Sequence, residues 1–171
     1  AKHPEIQKQV YQEVSSVDFQ DPNTDLMQGA MQLQLVKQCL EEALRLYPPA
    51  YVIDRIAIEH DSFEDISLPK DTLVLMSVYE LHRYAGFWEK PSEFIPRRFN
   101  DTDKKDYSDY YYPFGAGPRM CVGNNFAMYE MILAVAEIIG KYKIKTSLEN
   151  VEINPLISLK PKCVPLLFEE R

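Results

Sequence analysis

Ten consecutive residues constrain this chain more than any other stretch: Phe114-Gly115-Ala116-Gly117-Pro118-Arg119-Met120-Cys121-Val122-Gly123. Glycine opens backbone conformations closed to other residues and proline fixes one, so the run reads as a tight loop. A helical pattern follows at once, from about Gly123 to Tyr142, with apolar positions at Phe126, Ala127, Ile132, Leu133, Val135, Ala136 and Ile139 and Gly140 near its end. A cysteine in such a loop is presented rather than packed away. Its thiolate form is favoured by the positive end of the helix dipole and by nearby backbone N–H groups, which suits a nucleophile or a metal ligand better than a buried structural cysteine.

The remaining segments group around that loop. Pro4 to Val14 reads as an amphipathic helix, with proline in the first turn, Glu5 at the N-terminal dipole and Ile6, Val10 and Val14 four residues apart. After a polar connection containing Asp21-Pro22-Asn23, one helix is predicted from about Gly29 to Leu46, striped by Leu33, Val36, Leu40 and Leu44 and stopped by Pro48-Pro49. Tyr51 to Val78 has the texture of a small sheet, its runs at 51–53, 56–58 and 72–76 separated by turn formers such as Pro69-Lys70-Asp71. Gly86 to Pro113 shows no period of either kind and reads as an irregular meander packed by its aromatic rings. Short strands close the chain. The fold class expected is mainly α with small β-sheets, an α+β chain whose residues 1–171 belong to one domain.

Composition narrows the function classes. A net charge of −7 with no cluster of Lys or Arg sets nucleic acid aside, because phosphate binding needs concentrated positive charge. The longest apolar run, near Met131 to Gly140, is interrupted by Glu137 and falls short of a membrane span. Cys39, Cys121 and Cys163 are odd in number and far apart, which suggests neither a disulfide framework nor a zinc site and fits a reducing compartment. Cys39 and Cys163 are expected to pack as small apolar side chains.

The loop becomes specific as a pattern. Phe114, Gly117, Arg119, Cys121 and Gly123 fill every defined position of F-x-x-G-x-R-x-C-x-G, and Phe126, Ala127 and Glu130 continue it as F-A-x-x-E. From ordinary residue frequencies such a ten-residue match arises by chance on the order of once in 10^5 chains of this length. Upstream, Glu42-Ala43-Leu44-Arg45 supplies E-x-x-R, and Pro96-Arg97-Arg98-Phe99 is similar to P-E-R-F with Arg97 in place of the acidic residue. Alone, Glu42 and Arg45 would be an ordinary i,i+3 pair worth a few tenths of a kcal/mol. In this order along the chain, the segments resemble the C-terminal, haem-binding part of the cytochrome P-450 family, over essentially all 171 residues.

That resemblance implies a set of expectations. Cys121 would be the axial thiolate ligand of a haem b (iron protoporphyrin IX) and thereby the catalytic residue. Phe114, Gly115, Gly117, Arg119, Gly123 and Ala127 would line the cofactor, with Arg119 and Arg55 pairing its propionates. Glu42, Arg45 and Arg98 would form a buried structural triad, and loss of Glu42 would then cost roughly 3–5 kcal/mol. Ala50 to Ile53 and Ser158 to Lys160 resemble substrate-contacting segments. His82, in Leu81-His82-Arg83, is read as a satisfied structural histidine and not an iron ligand.

The activity implied is oxidation of a small organic substrate by O2, by hydroxylation or dealkylation. Electrons would come from a ferredoxin, a flavodoxin or a flavin reductase domain. The family's long distal helix and most of its substrate pocket are not represented, so the chain alone is expected to be incomplete as a monooxygenase. It is expected to associate with the missing N-terminal portion or with itself. A non-catalytic haem-binding module and a haem-free interaction piece are the alternative readings. A cytoplasmic location follows for a soluble bacterial-type protein, and an N-terminal anchor for a membrane-bound one.

Overall fold

Residues 1–100 and 107–171 are described by the computed structural model. The first helix, α1, runs Pro4–Val14, with Pro4 in its first turn and Glu5 at its positive end. It buries Gln7, Val10 and Val14. Gln7 acts as a clamp: its Nε2 donates to the Ile144 carbonyl at 2.9 Å and its Oε1 accepts the Ile144 N–H at 2.7 Å. A buried amide side chain thus substitutes for a backbone ladder and fixes α1 against the C-terminal strands.

The single helix expected from Gly29 to Leu46 is two: α2, Leu26–Gln32, and α3, Gln34–Leu46. The break falls at Leu33, whose φ of −80° and ψ of 69° leave the helical region while its side chain is fully buried. Each new start carries its own cap, which offsets the interrupted hydrogen bonds. Asp25 accepts the Met27 and Gln28 N–H groups at 2.8 and 3.0 Å. The Glu13 carboxylate reaches across from α1 to accept the Leu35 and Val36 N–H groups at 2.7 and 3.0 Å. A carboxylate at the positive end of α3 is favoured by the dipole as well as by these bonds.

The β region is more divided than the sequence suggests. Strand β1 (Val52–Ile56) pairs antiparallel with β4 (Leu73–Ser77), with Asp54 opposite Leu75. Between them lies an additional hairpin of β2 (Asp61–Phe63) and β3 (Ile66–Leu68), turned at Glu64, which has φ of 50°. Ser77 caps the short helix α4, Val78–Leu81. Helix α5 spans Asn124–Lys141, one residue shorter at each end than expected. It runs directly into β5 (Tyr142–Lys145), which pairs with β8 (Leu167–Glu170), while β6 (Ile153–Pro155) pairs with β7 (Leu159–Pro161). Among the described residues the strands form four separate two-stranded antiparallel sheets, in agreement with the expected α+β class.

The core is where the four longer helices meet. Val10 and Val14 of α1, Ala30 of α2, Leu33 and Val36 at the start of α3, and Ile132, Ala136 and Ile139 of α5 form one buried cluster. Cys39 is packed against it, and burial together with the Glu13 and Glu42 charges pushes its thiol pKa up to about 12. Cys163, expected to be packed likewise, is exposed, since it follows β7 in a segment with little cover. The described part of the meander is a second, aromatic cluster: Phe87 stacks on Tyr110 at 4.0 Å, and Trp88 and Phe99 meet Tyr107 and Tyr111. No helix among the described residues is long and apolar enough to cross a membrane.

Candidate functional site

The loop from Phe114 to Gly123 is shaped by two glycines. Gly115 and Gly117 have φ of 74° and 69°, a region that costs other residues about 1–2 kcal/mol. A single-turn 3-10 segment, Gly117–Arg119, reverses the chain, and the Cys121 N–H then donates to the Phe114 carbonyl at 2.9 Å. That bond closes the loop. Its product is an exposed Cys121, whose Sγ lies 4.0 Å from the point where a Cβ on Gly123 would stand. Gly123 is the N-cap residue of α5, and the Ala127 N–H donates to its carbonyl at 2.9 Å to form the first helical turn. The sulfur therefore sits beside the positive end of an 18-residue helix.

Around the sulfur the surface is open and apolar. A Cβ added at Gly117 would meet nothing within 4 Å, and one at Gly115 would meet only Ile53 Cδ1, at 3.8 Å. Met120, Val122 and Phe126 are exposed, Val122 completely. Arg119 is exposed as well. Ile53 belongs to β1, and Arg55, two residues on, shares its face of the strand. Arg55 is exposed, and its Nη1 donates to the neighbouring Asp54 carbonyl at 2.6 Å. The loop thus combines one accessible thiol, an uncovered apolar surface and two basic side chains, Arg119 on the loop and Arg55 on the adjoining strand. This fits a planar, largely apolar group with acidic edges and a soft metal ion. A cluster of three or more His, Cys, Asp or Glu able to hold a bare metal ion is absent among the described residues.

Behind the loop the structure brings Glu42, Arg45 and Arg98 together. Glu42 and Arg45 are fully buried. Arg45 meets the carboxylate with two parallel bonds, Nε to Oε2 at 2.7 Å and Nη2 to Oε1 at 2.9 Å. Arg98, from the 3-10 turn Pro96–Phe99, adds its Nε to Oε1 at 3.2 Å, and the Ile95 N–H adds a bond at 2.8 Å. Further guanidinium N–H groups donate to backbone carbonyls. Arg45 donates to His82, Pro91 and Glu93, and Arg98 donates to Lys90. Arg45 also lies over the Trp88 ring at 5.1 Å. Three elements distant in sequence are cross-tied by one ionic centre, while Arg97, in place of the family's acidic residue, points into solvent and takes no part.

Two contributors were not singled out for these roles by sequence reasoning. Glu13 caps α3, the helix that carries the triad. His82 is completely buried and bonds both to α3 and to the segment leading into the thiol loop. Burial lowers its pKa to about 4, with the Arg45 and Arg83 charges acting in the same direction. Of the segments resembling substrate contacts, β1 reaches the loop through Ile53. Leu159, buried in β7, ties its N–H to the Pro49 carbonyl at 3.0 Å, so Ser158 to Lys160 lies beside the turn that precedes β1.

Comparison with known proteins places the whole chain in one family. The family profile described as Cytochrome P-450 matches residues 1–168. Lithocholate 6-beta-hydroxylase of Mesocricetus auratus is 36% identical over 149 residues, covering 85% of this chain and 29% of the relative. Cytochrome P-450 3A7 of Homo sapiens is 32% identical over 174 residues, covering the whole of this chain and 33% of the relative. Among solved structures, the haem domain of cytochrome P-450DA superposes with a TM-score of 0.89 at 26% identity, over 99% of this chain and 38% of that one. The chain spans about a third of the length of the curated relatives it matches. It belongs to the cytochrome P-450 family.

Proposed function

We propose that Cys121 is the axial thiolate ligand of a haem b, and that the complete protein of which these residues form the haem-binding part is a monooxygenase. The observation that carries the reading is the exposed Cys121 sulfur in a loop closed by its own backbone bond to Phe114 and opened by Gly115 and Gly117. When bound, haem supplies O2 activation, with the thiolate pushing electron density toward O–O cleavage.

The chain's own residues have separate tasks in this reading. Phe114, Gly115 and Gly117 leave room for a flat ring to approach the backbone, and Gly123 and Ala127 begin the helix whose dipole steadies the thiolate. Arg119 and Arg55 neutralise acidic edges of the cofactor. Glu42, Arg45 and Arg98 hold α3 and the meander in place and take no part in the chemistry. Hydroxylation or dealkylation of a small organic substrate, with electrons from a ferredoxin, a flavodoxin or a flavin reductase domain, belongs to a chain of the relatives' full length. Residues 1–171 are proposed as one part of a single domain, inactive in oxygenation when separate.

Haemin titration tests the binding step. The chain should take up one haemin per molecule with the Soret spectrum of a ferric thiolate complex. Cys121→Ser should lose that spectrum, and Cys163→Ser should keep it. Identical spectra from the wild type and Cys121→Ser would reject the assignment.

A further inference from the structure

His82 stands apart from the haem-facing residues, and all its polar atoms are engaged. Its N–H donates to the Val78 carbonyl at 2.9 Å, and its carbonyl accepts Arg45 Nη1 at 2.7 Å. In the ring, Nδ1 lies 3.2 Å from the Arg45 carbonyl and Nε2 accepts the Tyr112 N–H at 2.8 Å. Because Nε2 accepts, the ring is neutral and its proton sits on Nδ1, donating to Arg45. One ring face stacks on Tyr111 with centroids 5.2 Å apart, and the Tyr111 hydroxyl donates to the Glu41 carbonyl at 2.9 Å.

The bonds continue toward the sulfur. The Tyr112 carbonyl accepts the Gly115 N–H at 3.1 Å, and the Phe114 carbonyl accepts the Cys121 N–H at 2.9 Å. A single imidazole therefore connects the helix bearing Glu42 and Arg45 to the segment from which the thiol loop departs. We infer that His82 is a positioning residue, which sets where the Cys121 loop sits relative to the Glu42–Arg45 pair. Its consequence for iron rests on the reading of Cys121 as ligand; the position of the loop does not.

The ring's neutrality follows from its surroundings. Arg45 and Glu42 face it from α3 as a closed ion pair, Arg83 flanks it in its own turn, and Tyr111 covers it from the meander. Protonation would convert Nε2 from acceptor to donor and turn it against the Tyr112 N–H.

Amide hydrogen exchange of the haem-free chain, with the alkylation rate of Cys121 measured against exposed Cys163 in the same molecule, tests the inference. His82→Phe keeps a ring against Tyr111 and removes the acceptor. His82→Gln can place its Oε1 near the former Nε2. In His82→Phe, exchange at Tyr112, Gly115 and Cys121 should rise about tenfold, the loss expected for one buried hydrogen bond. The Cys121 to Cys163 alkylation ratio should change with it, α1 and α5 should stay protected, and His82→Gln should restore the loop. Unchanged loop exchange in His82→Phe overturns the inference, as does equal loosening of α1, α5 and the loop in both variants. Should His82→Phe fail to fold, the wild type decides: protection factors, which correct for the slower intrinsic exchange of amides in acid, falling in the loop ahead of α1 and α5 as the pH drops toward about 4 support it, and a common fall, or none in the loop, overturns it.

Discussion

Glu42 accepts from Arg45, Arg98 and the Ile95 N–H while wholly removed from water. Glu42→Gln leaves two guanidiniums facing an uncharged amide, and should destabilise the chain by roughly 3–5 kcal/mol in denaturant unfolding. His82 makes a different, pH-dependent contribution. The unfolded chain takes up its proton near pH 6.5, whereas the folded ring resists until about pH 4. Its stabilisation is therefore complete above pH 6.5 and lost as the pH falls from there to about 4, by roughly 2–4 kcal/mol over the window. A His82→Gln variant should show a flatter pH dependence of unfolding over that range. The exposed place of Cys121 on its loop and the meeting of Glu42, Arg45 and Arg98 were legible in the sequence because each rests on side-chain types in a fixed spacing. His82 was legible as a satisfied structural histidine, but its partners, like the cap that Glu13 provides, were not, because those partners are backbone groups about 20 to 40 residues away, which no side-chain pattern records.

At the scale of elements, the internal shape of the thiol loop depends on the backbone conformations of its glycines. Gly117 has positive φ, and its added Cβ would touch nothing, so Gly117→Ala isolates backbone strain. It should cost about 1–2 kcal/mol and displace Cys121, seen as a changed alkylation rate with α1 and α5 unaffected. Helices α1 and α5 were readable almost to the residue, because apolar periodicity and a proline start speak directly to packing. The break at Leu33 was hidden, since a leucine in an unbroken apolar stripe carries no mark of leaving the helix. What stabilises the break, the Glu13 carboxylate, comes from another element. The β2–β3 hairpin escaped for a similar reason: its strands are three residues each and its positive-φ turn residue is Glu64, not glycine.

For the whole molecule, large apolar side chains remain uncovered in several places, among them Ile58, Phe63 and Leu75 of the β region and Val122 and Phe126 by the thiol. Together with a span of about a third of its relatives, this predicts that the 171-residue chain self-associates or binds a further part of the protein. Light scattering should report a mass above that of one chain, and a monomer at all concentrations would contradict this. Fold class was legible at this scale because alternation of helices with short β runs survives in any part of the chain. The faces left open were not, because burial depends on what else is present. The central claim, that these residues present Cys121 as a haem thiolate, is tested most directly by the carbon monoxide spectrum of the reduced, haem-loaded chain. The account predicts the strongly red-shifted Soret band of thiolate-ligated ferrous–CO haem, abolished in Cys121→Ser; an ordinary, unshifted Soret band in the wild type, or a shifted band that survives in Cys121→Ser, would contradict it.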